Sequence, residues 1–269
     1  MPAILKTIAK ALGAALILTG ALAAPALAGV DDIWRAHDPA STITLDHRPW
    51  DRFLARYVRL DAAGIARVAY RRVSAADRAE LARYITALEK APVHALRRDQ
   101  QFAYWVNLYN AATVRLILDH YPIHSIRRIG LFSGPWRRKL VTVEGRKLSL
   151  DDIENRILRP LWRDPRVHYA LNCASVGCPN LAGKAWRAAT RDAMLDAAAR
   201  AYINNPRGVT VEKGRLVGSK IYQWYGKDFG NVLDHLKAYA RPALAARLAS
   251  FAKIDRYRYD WTLNDDGQE

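Results

Sequence analysis

The stretch from Phe102 to His120 reads FAYWVNLYNAATVRLILDH, and no other segment constrains the fold as much. Phe102, Trp105, Tyr109, Ala112, Leu116 and Ile117 make one stripe at helical spacing, while Val106, Leu108, Val114 and Leu118 fill most of the other sides. A helix apolar nearly all round is stable only when other elements surround it. The spacing predicts a buried central helix over about Arg98 to Asp119. Asn107 and Asn110 lie three apart on one of its faces. A buried carboxamide without partners costs about 1–3 kcal/mol, so the pair is expected to pin a neighbouring loop, the one carrying Cys173.

Elements expected around this helix come from local pattern. Trp50, Phe53, Leu54, Tyr57 and Val58 have helical spacing within Asp46 to Leu60. Ser74 followed by Asp77 is a capping box for a second helix, with Leu81, Tyr84, Ile85 and Leu88 on one face and Pro92 beyond its end. LVTVEGRKLS reads as a hairpin turning at Glu144 and Gly145, and VTVEKGRLV as another turning at Lys213 and Gly214. Ser149 and Asp152 open a helix that Pro160 ends. RVHYALN reads as a strand. Helices are expected from Arg191 to Ile203, in DFGNVLDHLKAYA and in ALAARLASFA, and YRYDWTL alternates like a half-buried strand. The sum is an α+β fold, with helices around a small antiparallel sheet and one buried central helix. No repeat or linker divides it.

The first thirty residues carry Lys6 and Lys10, a short apolar run from Ala11 to Ala23, and Ala26-Leu27-Ala28. That is the pattern of a secretory signal peptide at residues 1–28, with a mature chain of about 240 residues, 29–269, as one domain. The apolar run is short of the ~20 residues a spanning helix needs. A periplasmic or secreted protein without a transmembrane anchor is expected. The formal charge is +16 and the pI near 10.1. Export argues against a nucleic-acid partner, and the arginines are scattered, so the charge fits a solvated surface with weak attraction to anionic envelope polymers.

Five stretches resemble the family called domain of unknown function 547, DUF547. They are FAYWVNLYNA, KLSLDDIENRILRP, DPRVHYALNCASVGCPNL, SKIYQWYGKDFG and YDWTLND, in the family's order. The resemblance runs from about residue 98 to residue 229, with the terminal strand added. It implies an exported bacterial protein but no activity, since the family is named for lacking one. One position departs from the family pattern. Its helix usually reads Asp-Ile-Glu-His, and here the last residue is Asn155.

Cys173 and Cys178 are the only cysteines in the chain. Two cysteines in an oxidising compartment, with four residues between them, invite a disulfide that fixes the loop, adding about 2 kcal/mol. A zinc site with His168 would be an uncommon arrangement, and no metal or cofactor is expected. A nucleophilic Cys173 needs a base and an orienting group. His168 is five residues away, which puts the two on opposite faces of a strand or about 140° apart on a helix, so contact requires a turn after Asn172. His120, His124 and His235 are the other bases, and Asn107, Asn110, Asn172 and Glu154 the candidate orienters. Glu154 and Arg159 read more simply as an ion pair on one helix, and Trp224 and Tyr225 as core. Two functions remain open. One is a binding loop fixed by the disulfide, for a protein partner or envelope substrate. The other is a cysteine-dependent hydrolase, peptidase- or amidase-like, acting on the cell envelope with Cys173, His168, Asn107, Asn110 and Glu154 as its site.

Overall fold

The computed structural model describes residues 33–130 and 134–267. The expected signal peptide lies outside them. Among the described residues no helix is long and apolar enough to cross a membrane.

Helix α1, Arg48–Tyr57, begins at a proline in its first turn and buries Trp50, Phe53, Leu54 and Tyr57. It stops three residues before the expected end. Val58–Leu60 is strand β1, paired antiparallel with β2, Ala66–Val68. β-Branched Val58 favours the extended chain there, and its partner Val68 returns after a turn at Gly64, φ +73°. Helix α2, Ala75–Glu89, starts on the capping box, with Ser74 Oγ accepting the Asp77 amide at 3.1 Å and donating to its carboxylate at 2.6 Å.

Helix α3, Arg98–His120, is the central helix, and every residue from Gln101 to Val114 is buried. The hairpin β3, Lys139–Val143, and β4, Arg146–Ser149, turns at Glu144 and Gly145, both with positive φ. Ser149 and Asp152 cap the next helix as expected, but it is a π-helix, Asp152–Leu158, continued by one α turn to Trp162. Helix α4 is Arg191–Ile203. Strands β5, Val209–Glu212, and β6, Arg215–Ser219, form the second hairpin, and β7, Arg256–Arg258, joins β6 in parallel. Helices α5, Val232–Tyr239, and α6, Pro242–Leu248, pack beside them, α5 starting later than its pattern suggested because Asn231 caps it.

The fold is α+β, with three small separate sheets of two or three strands among the described residues in place of one antiparallel sheet. Two apolar clusters form the core. One surrounds α3 and contains Trp34, Trp50, Phe102 and Trp105. The other joins α4, β5, β6 and α5 through Tyr202, Leu216, Tyr222 and Leu236.

Residues 166–172, RVHYALN, are not a strand. Asp164 accepts the Arg166 amide at 2.9 Å through its side chain, an Asx turn, and Val167–Ala170 form one helical turn. Local hydrogen bonding by Asp164 supplies the backbone with an alternative to a ladder.

A candidate active site around Cys173

The cysteine loop is held from three directions. From below, Asn110 on α3 accepts the Asn172 amide with Oδ1 and donates Nδ2 to Ala170 O, each at 2.9 Å. Asn107 does the same one turn earlier, but to both backbone groups of Trp186, at 2.8 and 2.9 Å. Asn110 thus pins the cysteine loop as expected, and Asn107 does not. Within the loop, Asn172 donates to Pro179 O at 2.7 Å and accepts the Ala174 amide at 2.9 Å. Asn172 is a clasp for its own loop, not an orienter of a base. The chain turns at Ala174, whose φ of +58° is sparsely populated for a residue with a Cβ.

From above, the C-terminal segment lies along the loop. The Val176 amide donates to Thr262 O and the Gly177 amide to Asp260 O, both at 2.8 Å. A Cβ on Gly177 would sit 2.7 Å from Asp260 N, so only glycine admits this approach. Tyr202 on α4 donates its hydroxyl to Gly177 O at 2.6 Å. Cys178 donates its amide to Ser175 O. The amides of residues 173, 174, 176, 177 and 178 are all engaged in holding the shape of the loop.

The two thiols are free and not at disulfide distance. The expected staple is not formed. Cys178 Sγ instead accepts the Cys173 amide at 2.9 Å and lies 3.7 Å from Leu171 O. Cys173 Sγ faces the Tyr259 hydroxyl at 3.1 Å and the Ser175 hydroxyl at 3.2 Å. Burial works to raise the Cys173 pKa, but hydrogen bonds from Cys178, Ser175 and Tyr259 outweigh it, and the net direction is down. Burial and the neighbouring Cys173 push the Cys178 thiol well up. The two thiols are thus driven apart, Cys173 toward the more acidic and Cys178 toward the less acidic side.

Cys173, 9 % exposed, lines a cavity of about 370 Å³ where the two core clusters meet. His168 lines it too. Its Nε2 lies 2.8 Å from an oxygen of Asp228, and its ring stacks on Tyr225 at 4.1 Å between centroids. The hydrogen bond from His168, with the Arg159 guanidinium beside it, holds the Asp228 carboxyl well below the usual carboxylate range. Asp228 is therefore an anion that accepts Nε2–H, which leaves Nδ1 as the basic ring atom. No hydrogen bond joins His168 to Cys173 among the described residues. Metal clusters built from three His, Cys, Asp or Glu are likewise absent among them, so His168, Cys173 and Cys178 do not assemble the zinc set.

Glu154 enters the same cavity, 8 % exposed, and accepts the Tyr109 hydroxyl at 3.1 Å. It does not pair with Arg159, which reaches Asp228 at 2.6 and 2.9 Å and Asn155 at 2.7 Å. Glu154 and Asn155 of the π-helix, with Asp151 just before it, line the cavity together. Burial, then the Glu154 charge, pushes the Tyr225 phenol far up, so it stays a neutral donor.

The other histidines are elsewhere. His235 contacts Tyr169 at 2.9 Å in the second core cluster, where burial lowers its pKa to about 4. His120 contacts Leu116 O in the last turn of α3, and His124 lines a shallow outer groove. Sequence pattern also misassigned Trp224 and Tyr225, expected as core. Trp224 is 44 % exposed, and both line the cavity with Trp136, Tyr259 and Trp261.

Tyr259, Ser175 and Asp228 were not among the expected site residues. A signal for them existed, because each lies in one of the five stretches that carry the family resemblance. All five meet here. The first supplies Tyr109, the second Glu154, the third His168 and Cys173, the fourth Tyr225 and the fifth Tyr259.

No curated protein and no solved structure matches the chain. Residues 93–203, from before α3 to the end of α4, match the model of the family described as "Protein of unknown function, DUF547", and that stretch of the chain is a DUF547 domain.

Proposed function

We propose that this protein is a cysteine-dependent acyl-transfer enzyme that hydrolyses an amide or ester, with Cys173 as nucleophile and His168, oriented by Asp228, as base and acid. The observation that carries it is a free Cys173 sulfur held by three hydrogen-bonding neighbours in a cavity shared with an Asp228-bound imidazole. The Cys173 proton passes to His168 Nδ1, and the sulfur bonds to the substrate carbonyl carbon. With five of the loop amides engaged, the Tyr259 and Ser175 hydroxyls beside the sulfur serve as donors to the developing oxyanion. The bond to the leaving group breaks as that group takes the proton from His168. Water then cleaves the thioester, releasing the acid and restoring the thiol. Glu154, tied to Tyr109, fits a role in orienting that water. The signal-peptide pattern supports export to the periplasm or beyond, with a cell-envelope compound as substrate.

The test is labelling of native protein purified without reductant. Iodoacetamide is expected to modify Cys173 and spare Cys178, with a rate midpoint below the ~8.5 of a free cysteine. Tyr259→Phe removes one donor and is expected to move that midpoint upward. p-Nitrophenyl acetate should give a stoichiometric burst and leave an acetyl group on Cys173, detected by mass spectrometry. An intact Cys173–Cys178 disulfide, or a Cys173 that reacts only after unfolding, would sink the proposal and favour a binding loop.

A further inference from the structure

We propose that the substrate of this site carries a carboxylate beside its acyl group, received by Arg127 and Arg137 at the cavity mouth while the acyl chain sits against tryptophan. The inference rests on the acyl-transfer reading and names its substrate class. Arg137 lines the cavity directly, beside Trp136. The Arg127 guanidinium lies over the Trp261 ring at 5.3 Å, and Trp261 is a wall of the same cavity. Trp261 and Tyr259 also border the outer groove that contains Arg127 and Arg128, so groove and cavity share a wall.

What separates these arginines from the rest of a basic chain is that they stand at the cavity and its adjoining groove and have no carboxylate partner there. Arg56, Arg67, Arg72, Arg159, Arg166 and Arg187 each pair with an aspartate. Arg127, Arg128 and Arg137 form no ion pair among the described residues. Nearby acids are already engaged. Asp260 accepts the Thr262 amide at 2.8 Å, Asp151 accepts Asn155 Nδ2 at 2.7 Å, and Glu154 accepts the Tyr109 hydroxyl. A guanidinium with free donors at a cavity mouth favours a carboxylate, which it grips in bidentate fashion. The aromatic walls Trp136, Trp224 and Trp261 suit the apolar remainder of such a molecule.

Two alkylating reagents of equal size and opposite character test this. Iodoacetate carries a carboxylate and iodoacetamide is neutral. At low salt, the iodoacetate-to-iodoacetamide rate ratio at Cys173 is expected to exceed that of glutathione by about tenfold. High salt, Arg137→Gln and Arg127→Gln should each lower the ratio toward that of glutathione, with the iodoacetamide rate and melting temperature unchanged. A wild-type ratio equal to that of glutathione, with Cys173 still readily alkylated, would overturn this proposal alone and leave acyl transfer standing. A Cys173 that neither reagent reaches would overturn both. A high ratio that survives both substitutions would also overturn it, since the attraction would then lie elsewhere.

Discussion

Replacing Asn110 by leucine is expected to cost about 2–6 kcal/mol of stability and to abolish selective labelling of Cys173. Leucine fills nearly the same volume, so packing of α3 is retained. Two backbone groups lose their only partner, the Asn172 amide and the Ala170 carbonyl, and both are buried. Each buried group left unpaired costs about 1–3 kcal/mol. The loop can relieve this only by leaving its seat, which carries Cys173 away from Tyr259 and Ser175. Asn107→Leu is the matched control. It costs a similar amount of stability, because it strands the amide and carbonyl of Trp186, but it leaves the cysteine loop seated. Urea unfolding of both variants, read beside the iodoacetamide rate at Cys173, separates them. If Asn110→Leu is labelled as fast as wild type, the amide is not what seats the loop.

The two cysteine variants should show crossed effects. Cys173→Ala is expected to reduce acyl transfer by about a thousandfold or more, as loss of a nucleophile does, with stability nearly intact. The Ser175 and Tyr259 hydroxyls that its sulfur faces still reach each other at 3.2 Å. Cys178→Ala should act the other way. It strands the buried Cys173 amide, at about 1–3 kcal/mol. It also removes a hydrogen bond that favours the Cys173 thiolate, so the labelling midpoint rises and the rate at neutral pH falls, about tenfold for each unit of the rise. A structural disulfide predicts instead that both variants lose the same stability and gain the same reactive thiol. Equal losses in the two variants, measured by thermal melts and alkylation rates, would restore the staple.

Much of the scaffold is local physics and could be read from neighbouring residues. The capping box at Ser74, the turns at Glu144-Gly145 and Lys213-Gly214, and the apolar sides of α3 each depend on groups within a few positions of one another. The importance of Asn110 was also legible, because an amide buried in an apolar helix must have a partner. The identity of the partner was not. Asn107 and Asn110 present the same chemistry to the same side, and only the path of the chain 60 to 80 residues later sends one to Trp186 and the other to the cysteine loop.

The chemistry around Cys173 was decided by tertiary structure. Asp228 reaches His168 across 60 residues and Tyr259 reaches Cys173 across 86, and no periodicity encodes such meetings. Trp224 and Tyr225 are apolar by composition, so pattern alone assigns them to a core, whereas packing places them on a cavity wall. The thiols illustrate the same limit. Spacing and the expected export argued for a disulfide, but the left-handed turn at Ala174 and the grip of Thr262 and Asp260 on the loop place Cys178 Sγ against the Cys173 amide instead of its sulfur. Sequence by itself determined which residues could do chemistry and the elements that carry them. Which of them meet was determined by the packing of distant segments, because hydrogen bonds and desolvation act over a few ångströms of space whatever the separation along the chain.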